Sequence, residues 1–215
     1  MQIPLNCLSP QLVQALESGR YEHTEAAALQ RHLAPGDRVL ELGAGAGYLV
    51  AISARIVGGD RVTAVEAAPA MIAPLRRNLD RNEGAQVRVV HGAVVADDYA
   101  TGTVPFLARK AFWAGAVAAP DQLSNTRVVD VPALRLRDLL RDYPSDVVVM
   151  DIEGGEQMLA RQEWPPRVRL LIVEIHTKHY SPQVLKDILD GLSGAAFTYM
   201  PWGSRGETLV FQRVK

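Results

Sequence analysis

The segment Arg38-Val39-Leu40-Glu41-Leu42-Gly43-Ala44-Gly45-Ala46-Gly47 decides the fold class of this chain. Its first half is predicted to be an apolar strand, and its second half is a glycine-rich loop. The residues that follow, 48–57, are predicted to form a helix. Glycine lets a backbone turn sharply and approach a ligand closely, and the first turn of a helix offers unpaired N–H groups. A strand, a glycine loop and a helix in this order indicate the ligand crevice of an open α/β sheet.

Short apolar runs alternate with helical stretches along the rest of the chain, which indicates an α/β fold. Further strands are predicted at residues 61–66, 86–91, 146–151 and 168–175, and a closing antiparallel hairpin at residues 197–200 and 208–214. Further helices are predicted at residues 69–82, 134–143, 155–161 and 181–192, and helical residues from 10 to 32 precede the first strand. We therefore expect a doubly wound, mostly parallel sheet of seven strands.

The composition restricts the class of protein. The chain has 215 residues with a hydrophobic share of 48%, which suits one α/β domain over residues 1–215. Its net charge of −1 gives no overall positive field for nucleic acid or a membrane surface, and we expect neither as a partner. A single cysteine, Cys7, and no apolar run of membrane-spanning length favour the cytoplasm. Whether the chain forms a homodimer is left open.

The spacing of the glycines restricts the class of ligand that the loop can bind. The dinucleotide fingerprint needs its third glycine at the position of Tyr48, and Gly47 arrives one residue early, so NAD is disfavoured. A Gly-Lys-Ser/Thr ending is absent, which disfavours a phosphate-binding P-loop. Glu66 ends the second strand, where a carboxylate can accept hydrogen bonds from both hydroxyl groups of a ribose. Glu41 adds a carboxylate for an ammonium group, and the pair suits an adenosine ligand that carries an amino acid.

These residues resemble a known family. The pattern Glu-x-Gly-x-Gly-x-Gly over residues 41–47, with Glu66, resembles the S-adenosylmethionine site of class I methyltransferases. Residues 148–156, Val-Val-Met-Asp-Ile-Glu-Gly-Gly-Glu, resemble the Asp-x-Glu-Gly-x-Glu signature of the FkbM family in that class, and residues 172–176 resemble its fifth strand. The resemblance covers residues 38–176 and implies a Rossmann-like fold and S-adenosylmethionine as the cofactor.

The resemblance also implies which residues bind the cofactor. They lie on the glycine loop, at the ends of the second and third strands, and after the fourth strand: Glu41, Gly43, Ala44, Gly45, Gly47, Tyr48, Glu66, Ala67, Gly92, Ala93 and Asp151. Met71 or Ile72 could cover one face of the adenine, although at helical spacing both also suit a plain core.

Ionisable residues follow the fourth and fifth strands. Asp151 and Glu153 follow one strand, and Glu174 and His176 end the other, so all four are expected at one edge of the sheet. Asp151, Glu174 and His176 are the predicted catalytic residues, with Glu174 orienting His176 as a base. Glu153 and Glu156 could instead serve the start of a helix. These residue types could also hold magnesium or zinc, but their spacing is not diagnostic, and we expect a site without a metal.

Two further segments are candidates for covering the site. Residues 1–34 are interpreted as a helical lid with Tyr21, Glu22 and Thr24 at the cofactor. Residues 97–125 are predicted to be an irregular insertion or a hairpin, with short β-like pieces around residues 104–107 and 126–131. Lys110, Phe112 and Trp113 of this insertion are interpreted as lining an acceptor pocket. The resemblance implies methyl transfer to an oxygen of a small molecule or sugar. Methylation of a protein carboxylate or RNA, and cofactor binding without catalysis, are the alternatives.

Overall fold

Eleven strands and seven α-helices are present in the part of the chain that the structure, a computed structural model, describes: residues 2–4, 8–82, 84–108, 115–118, 127–159 and 161–214. The strands are β1 (Val39–Leu42), β2 (Val62–Glu66), β3 (Arg88–His91), β4 (Ala93–Val95), β5 (Thr103–Leu107), β6 (Ala116–Val117), β7 (Val128–Arg135), β8 (Val147–Met150), β9 (Leu170–Glu174), β10 (Phe197–Arg205) and β11 (Thr208–Arg213). The α-helices are α1 (Pro10–Glu17), α2 (His23–His32), α3 (Tyr48–Val57), α4 (Pro69–Asp80), α5 (Leu136–Asp142), α6 (Glu156–Leu159) and α7 (Pro182–Gly194). A short 3-10 helix, Gly59–Arg61, leads into β2.

The main sheet has seven strands in the order β10-β11-β9-β8-β1-β2-β3. Strands β3, β2, β1, β8 and β9 are parallel, and β11 pairs antiparallel with both β9 and β10. Every residue of β1, β2 and β8 is buried, because helices cover both faces of a parallel sheet. The expected doubly wound sheet and its closing hairpin are confirmed.

Apolar side chains pack on both faces of this sheet. On one face Leu40, Leu42 and Val148 pack with residues of α5 and α7. On the other face Val39 and Val149 pack with residues of α2, α3 and α4. Helix α7 begins as predicted, because the Ser181 side chain accepts a hydrogen bond from the amide of Val184 and Pro182 occupies the first turn. No helix in the described ranges is long and apolar enough to cross a membrane.

A second, smaller sheet forms where the sequence predicts an irregular insertion or a hairpin, and the antiparallel pair of β5 and β7 agrees with the hairpin. Its order is β4-β7-β5-β6, with β4 parallel to β7 and β5 antiparallel to β7 and β6. The predicted helix at residues 134–143 was wrong at its start, because β7 continues through Arg135 and α5 begins at Leu136. Pairing on both edges holds β7 extended, with Ala133 opposite Ala93 and Pro132 opposite Thr103. Lys110, Phe112 and Trp113 lie outside the described residues.

The N-terminal helices join the sheet at two points. Asp37, just before β1, receives two hydrogen bonds from the Arg169 guanidinium, and Arg169 also donates to the carbonyl of His32 at the end of α2. At the other end of α2, Thr208 of β11 donates to the buried carboxylate of Glu25. These contacts bring the turn between α1 and α2, which contains Glu22, to the carboxyl ends of the parallel strands.

Candidate active site

The glycine loop is pinned against the sheet by backbone hydrogen bonds. The amides of Gly43 and Ala44 both donate to the carbonyl of Val65 on β2, at 3.0 and 2.9 Å. On the other side the amide of Asp151 donates to the carbonyl of Leu42 at 3.0 Å. The loop therefore lies between the ends of β2 and β8, at the edge where the sequence predicts the ligand.

Gly43 has no room for a side chain. Its φ is +90°, and a Cβ atom there would lie 1.7 Å from the carbonyl oxygen of Asp151. Gly45 and Gly47 also have positive φ, at 51° and 85°. The loop can adopt this path because glycine carries no Cβ, and its backbone is left uncovered toward the cleft.

Glu66 braces the loop from the end of β2. Its side chain is 6% exposed, and its two oxygens accept hydrogen bonds from the amides of Gly45 at 2.7 Å and Ala68 at 2.6 Å. Burial raises the pKa of Glu66, and these backbone hydrogen bonds oppose that rise. The carboxylate is therefore fixed in one orientation before any ligand arrives.

A cleft of about 690 Å³, partly open to solvent, lies above the loop. Seven of the predicted cofactor residues line it: Gly43, Gly45, Glu66, Ala67, Gly92, Ala93 and Asp151. Four others do not. Glu41 and Ala44 are buried, at 3% and 5% exposure, and Gly47 and Tyr48 line a different depression beside α1. Burial raises the pKa of Glu41 well above its usual range, and the charge of Glu22 adds to the rise, which a backbone hydrogen bond from Val50 opposes.

The apolar wall of the cleft comes from residues that the sequence analysis did not name, although two of them lie in the segment 97–125 that it assigned to an acceptor pocket. Phe106 of β5, Val117 of β6 and Met158 of α6 line it. Met71 is fully buried in the core, and neither it nor Ile72 lines the cleft. The signal for Phe106 was weak, because the sequence marked residues 104–107 only as a short β-like piece in a predicted irregular insertion or hairpin.

A second depression, here called the acidic crevice, adjoins the cleft. Its walls carry Glu22, Thr24, Glu25, Asp151, Glu153, Glu174 and His176, together with Leu12, Ala15, Arg20, Tyr21 and His23. Tyr21, Glu22, Asp151 and Glu153 line both spaces. The convergence of Asp151, Glu153, Glu174 and His176 predicted from the sequence is therefore present.

Three carboxylates surround the His176 ring. Its Nδ1 lies 3.0 Å from Oε1 of Glu156, and its Nε2 lies 3.4 Å from Oδ1 of Asp151 and 3.6 Å from Oε2 of Glu153. Glu156 is 1% exposed, and the same Oε1 atom accepts a hydrogen bond from the amide of Ile152. The prediction that Glu174 orients His176 is wrong in its partner, because among the described contacts Glu156 holds the ring.

Crowding of carboxylates shifts the pKa values of this cluster. Burial raises the pKa of Asp151 well above its usual range, and the charges of Glu174 and Glu22 add to the rise. Burial also raises the pKa of Glu174 to about 7, to which the charge of Glu25 contributes. For His176 burial lowers the pKa, but the hydrogen bond and charge of Glu156 outweigh it and raise the pKa to about 9. The cluster therefore favours a positive charge at its centre.

Comparisons with known proteins find sequence relatives for part of the chain and a similar fold for all of it. The sequence model of the protein-L-isoaspartate(D-aspartate) O-methyltransferase family matches residues 8–101. A ribosomal protein L11 methyltransferase of Thermus thermophilus is 40% identical over 84 residues, which cover 38% of this chain and 32% of that protein. The match thus spans about a third of the length of this curated relative.

Two solved structures illustrate the structural likeness. A precorrin-6y C5,15-methyltransferase from Geobacter metallireducens superimposes with a TM-score of 0.52 and 11% identity, covering 100% of this chain and 94% of that one. Aeropyrum pernix fibrillarin, solved with bound S-adenosyl-L-methionine, gives a TM-score of 0.47 at 14% identity, over 87% of this chain and 73% of that one. The chain has a Rossmann-like α/β methyltransferase fold.

Proposed function

We propose that the chain is an S-adenosylmethionine-dependent methyltransferase that methylates a hydroxyl oxygen of a small molecule or sugar. The observation that carries this proposal is the shared wall of the cleft and the acidic crevice, formed by Tyr21, Glu22, Asp151 and Glu153. A methyl donor in the cleft and an acceptor in the crevice would meet at this wall. Methyl transfer requires such an alignment more than any other contribution from the protein.

The residues of the cleft fit the cofactor. The wall beside the loop consists of small residues, including Gly43, Gly45 and Gly92, so no side chain obstructs a flat ring or an amino-acid tail. The Glu66 carboxylate is already fixed by two amides and retains lone pairs that can accept ribose hydroxyl groups. Phe106 offers an aromatic face for adenine.

When bound, S-adenosylmethionine supplies an electrophilic methyl group on a sulfonium. The acceptor oxygen forms the new bond to that carbon as the carbon–sulfur bond breaks, and the hydroxyl proton must leave. Asp151 is placed to orient the hydroxyl, because it lines both spaces. Glu174 is placed to receive the proton, since both nitrogens of His176 already face carboxylates. His176 thus has a positioning role in this proposal.

Residues 1–34 act in this proposal as the lid of a single domain. Tyr21 and Glu22 lie between α1 and α2 and line the cleft, and the Tyr21 ring packs edge-on against Tyr48 at 5.7 Å. Glu22 has a left-handed backbone conformation, with φ at 47°. A non-glycine residue in this conformation is typical of functional segments, because surrounding contacts must hold it there.

The class of methyl acceptor is argued from the second half of the chain. The family-model match ends at residue 101, before the sequence that carries Asp151, Glu174 and His176. The names of the relatives therefore favour a protein acceptor only weakly. The motif at residues 148–156 supports an FkbM-type enzyme and a small acceptor, and the net charge of −1 disfavours RNA. A single cysteine among 215 residues is consistent with our proposal of a cytoplasmic enzyme.

Calorimetric titration of the purified chain with S-adenosylmethionine, S-adenosylhomocysteine and NAD tests the cofactor. We expect the first two to bind and NAD not to bind. Gly45→Arg should abolish binding, because a long side chain would fill the cleft beside Glu66. Gly102→Ala is the matched control, since a Cβ there meets no atom within 4 Å. Binding of NAD alone would overturn the proposal.

A panel of hydroxyl acceptors, peptides and RNA, assayed with methyl-labelled cofactor, then tests the acceptor. Transfer to hydroxyl compounds supports the proposal, and Asp151→Ala should slow it while the chain stays folded. Transfer to peptides or RNA alone would replace the small-molecule acceptor. Cofactor binding with no product from any acceptor would indicate a non-catalytic module.

A further inference from the structure

Three of the residues at and around His176 have the types and the spacing that could hold a metal ion. Asp151, Glu153 and His176 each place one ligand atom such that the three atoms lie within 4.8 Å of one another. Side-chain exposure of these residues is between 13% and 24%, so the atoms are partly withdrawn from water. Imidazole nitrogen and carboxylate oxygen are both common ligands of divalent transition metals.

The spacing of the atoms agrees with metal coordination better than with hydrogen bonding. The distances from Nε2 of His176 are 3.4 Å to Oδ1 of Asp151 and 3.6 Å to Oε2 of Glu153. Both are too long for a good hydrogen bond. Two atoms that each lie about 2.1 Å from a tetrahedral ion are separated by about 3.4 Å. The two distances from Nε2 of His176 therefore match the separation of ligand atoms around a small ion, and all three candidate ligand atoms lie within 4.8 Å of one another.

One of the candidate ligand atoms also lacks a hydrogen-bond partner. Oδ1 of Asp151 is buried and has no hydrogen-bond partner among the described residues, although it faces Nε2 of His176. A buried carboxylate oxygen without a donor is costly unless a cation completes it. No lysine or arginine is among the described residues that form ion pairs with this cluster.

Glu156 completes an arrangement that is typical of metal-binding histidines. Oε1 of Glu156 lies 3.0 Å from Nδ1 of His176, and Glu156 is only 1% exposed. This contact directs Nε2 of the ring toward Asp151 and Glu153. A carboxylate behind a ligand histidine fixes the ring and its tautomer and strengthens the bond to the metal. Oε2 of Glu153 also lies 3.4 Å from Nε2 of the more exposed His179, at the rim of the site.

In contrast to the metal-free site expected from the sequence, we infer that Asp151, Glu153 and His176 bind a divalent first-row transition-metal ion at the wall between the cleft and the acidic crevice. Its role rests on the proposed function: an ion at this position binds the acceptor hydroxyl, orients it toward the methyl donor and makes its proton easier to remove. The hydroxyl proton passes to Glu174, which lines the same crevice and is outside the ligand set.

Direct metal binding tests this inference without any activity assay. The chain is stripped with a chelator and titrated separately with Mn²⁺ and Zn²⁺, followed by calorimetry and, for Mn²⁺, by the electron paramagnetic resonance signal of the free ion. We expect a single equivalent to bind and to raise the melting temperature. Asp151→Asn and Glu153→Gln should each weaken binding by about tenfold or more. Asp190→Asn, at an exposed position on α7, is the matched control and should bind as the wild type does.

Circular dichroism of each variant shows whether it folds, and the wild-type titration decides the question if a variant does not. Absence of binding to wild type at millimolar Mn²⁺ and Zn²⁺ overturns the inference, as does unchanged affinity in both folded ligand variants. The cofactor titration is run on the same stripped protein. Cofactor binding without metal binding overturns this inference alone, and metal binding without cofactor binding supports it while overturning the proposed function.

Discussion

Oε1 of Glu156 lies 3.0 Å from Nδ1 of His176, and the same oxygen accepts the amide hydrogen of Ile152 at 3.2 Å. One buried carboxylate thus joins the start of α6 to His176, the second residue after β9. The short helix and the histidine are held as a unit, although twenty residues separate them in sequence.

Removal of the Glu156 carboxylate should therefore destabilise the fold. We expect Glu156→Ala to lower the free energy of unfolding by about 2–4 kcal/mol, because it leaves a buried amide and an imidazole without their acceptor. Glu156→Gln retains an oxygen acceptor and should cost about 1 kcal/mol. Urea unfolding of both variants measures this difference. Equal losses in the two variants would show that the hydrogen bonds contribute little and that side-chain volume dominates.

Gly43→Ala tests the close approach of the glycine loop to β8. The new Cβ would lie 1.7 Å from the carbonyl oxygen of Asp151, and the φ of +90° is itself unfavourable for alanine. We expect a loss of about 3 kcal/mol or more in the free energy of unfolding, together with loss of cofactor binding. Gly102→Ala should change stability by less than about 0.5 kcal/mol. A stable Gly43→Ala variant would mean that the loop can move away from Asp151.

Glu66→Gln tests the fixed carboxylate at the end of β2. The amide group can accept from only one of the two backbone amides of Gly45 and Ala68, and it carries no charge for a ribose. We expect S-adenosylmethionine and S-adenosylhomocysteine to bind about 10- to 100-fold more weakly, since a hydrogen bond to a charged group is worth about 1.5–3 kcal/mol. Glu163→Gln, at an exposed position, is the control. Calorimetry that gives wild-type affinity for Glu66→Gln would remove Glu66 from the cofactor site.

The main sheet could be predicted from the sequence because its central strands are continuous apolar runs. Residues 147–150, for example, are all buried, and a short β-branched run of this kind strongly favours a strand buried on both faces. The first half of β7 could be recognised as a β-like piece, but its continuation through Arg135 could not be predicted, because its exposed and buried residues do not alternate and Pro132 interrupts it. Tertiary pairing with β4 and β5, not local propensity, makes it a strand.

The candidate site was predictable to a similar extent. Topology alone brings the ends of β1, β2, β8 and β9 to one edge, so Glu66, Asp151 and His176 could be placed there. The partner of His176 could not, because the orientation of Glu156 depends on how α6 packs. Phe106 of the cleft wall could not be placed either, since it arrives from the second sheet.

Glu22→Gln tests a titration in the lid. Burial raises the pKa of Glu22 from 4.5 to about 8, and the charges of Glu25 and Glu174 add to the rise, which a hydrogen bond with Tyr21 opposes. The folded state therefore binds this proton more tightly than the unfolded state does. Its contribution to stability is fully present below pH 4.5 and is lost as the pH rises through about 8. The variant lacks this loss, so its stability relative to wild type should increase between these two pH values. Urea unfolding across this range measures the difference, and a constant difference would contradict the assignment.

Arg213 joins three segments at the end of β11. Its guanidinium donates to the carbonyls of Trp164, Pro165, Val168 and Ala195 and lies 4.4 Å from the centre of the Phe197 ring. Partial burial lowers the pKa of Arg213.

A lysine at this position cannot donate in several directions within one plane, so Arg213→Lys should lose most of these hydrogen bonds. We expect the free energy of unfolding to fall by about 2 kcal/mol, at about 1 kcal/mol for each hydrogen bond lost, less what the ammonium recovers. Arg205→Lys, at an exposed position in β10, should change stability by less than about 0.5 kcal/mol. Because these carbonyls lie far along the chain from the glycine loop, cofactor affinity should be unchanged in Arg213→Lys at temperatures where the variant is folded. Weakened cofactor binding under those conditions would mean that the hairpin is coupled to the cleft through β9.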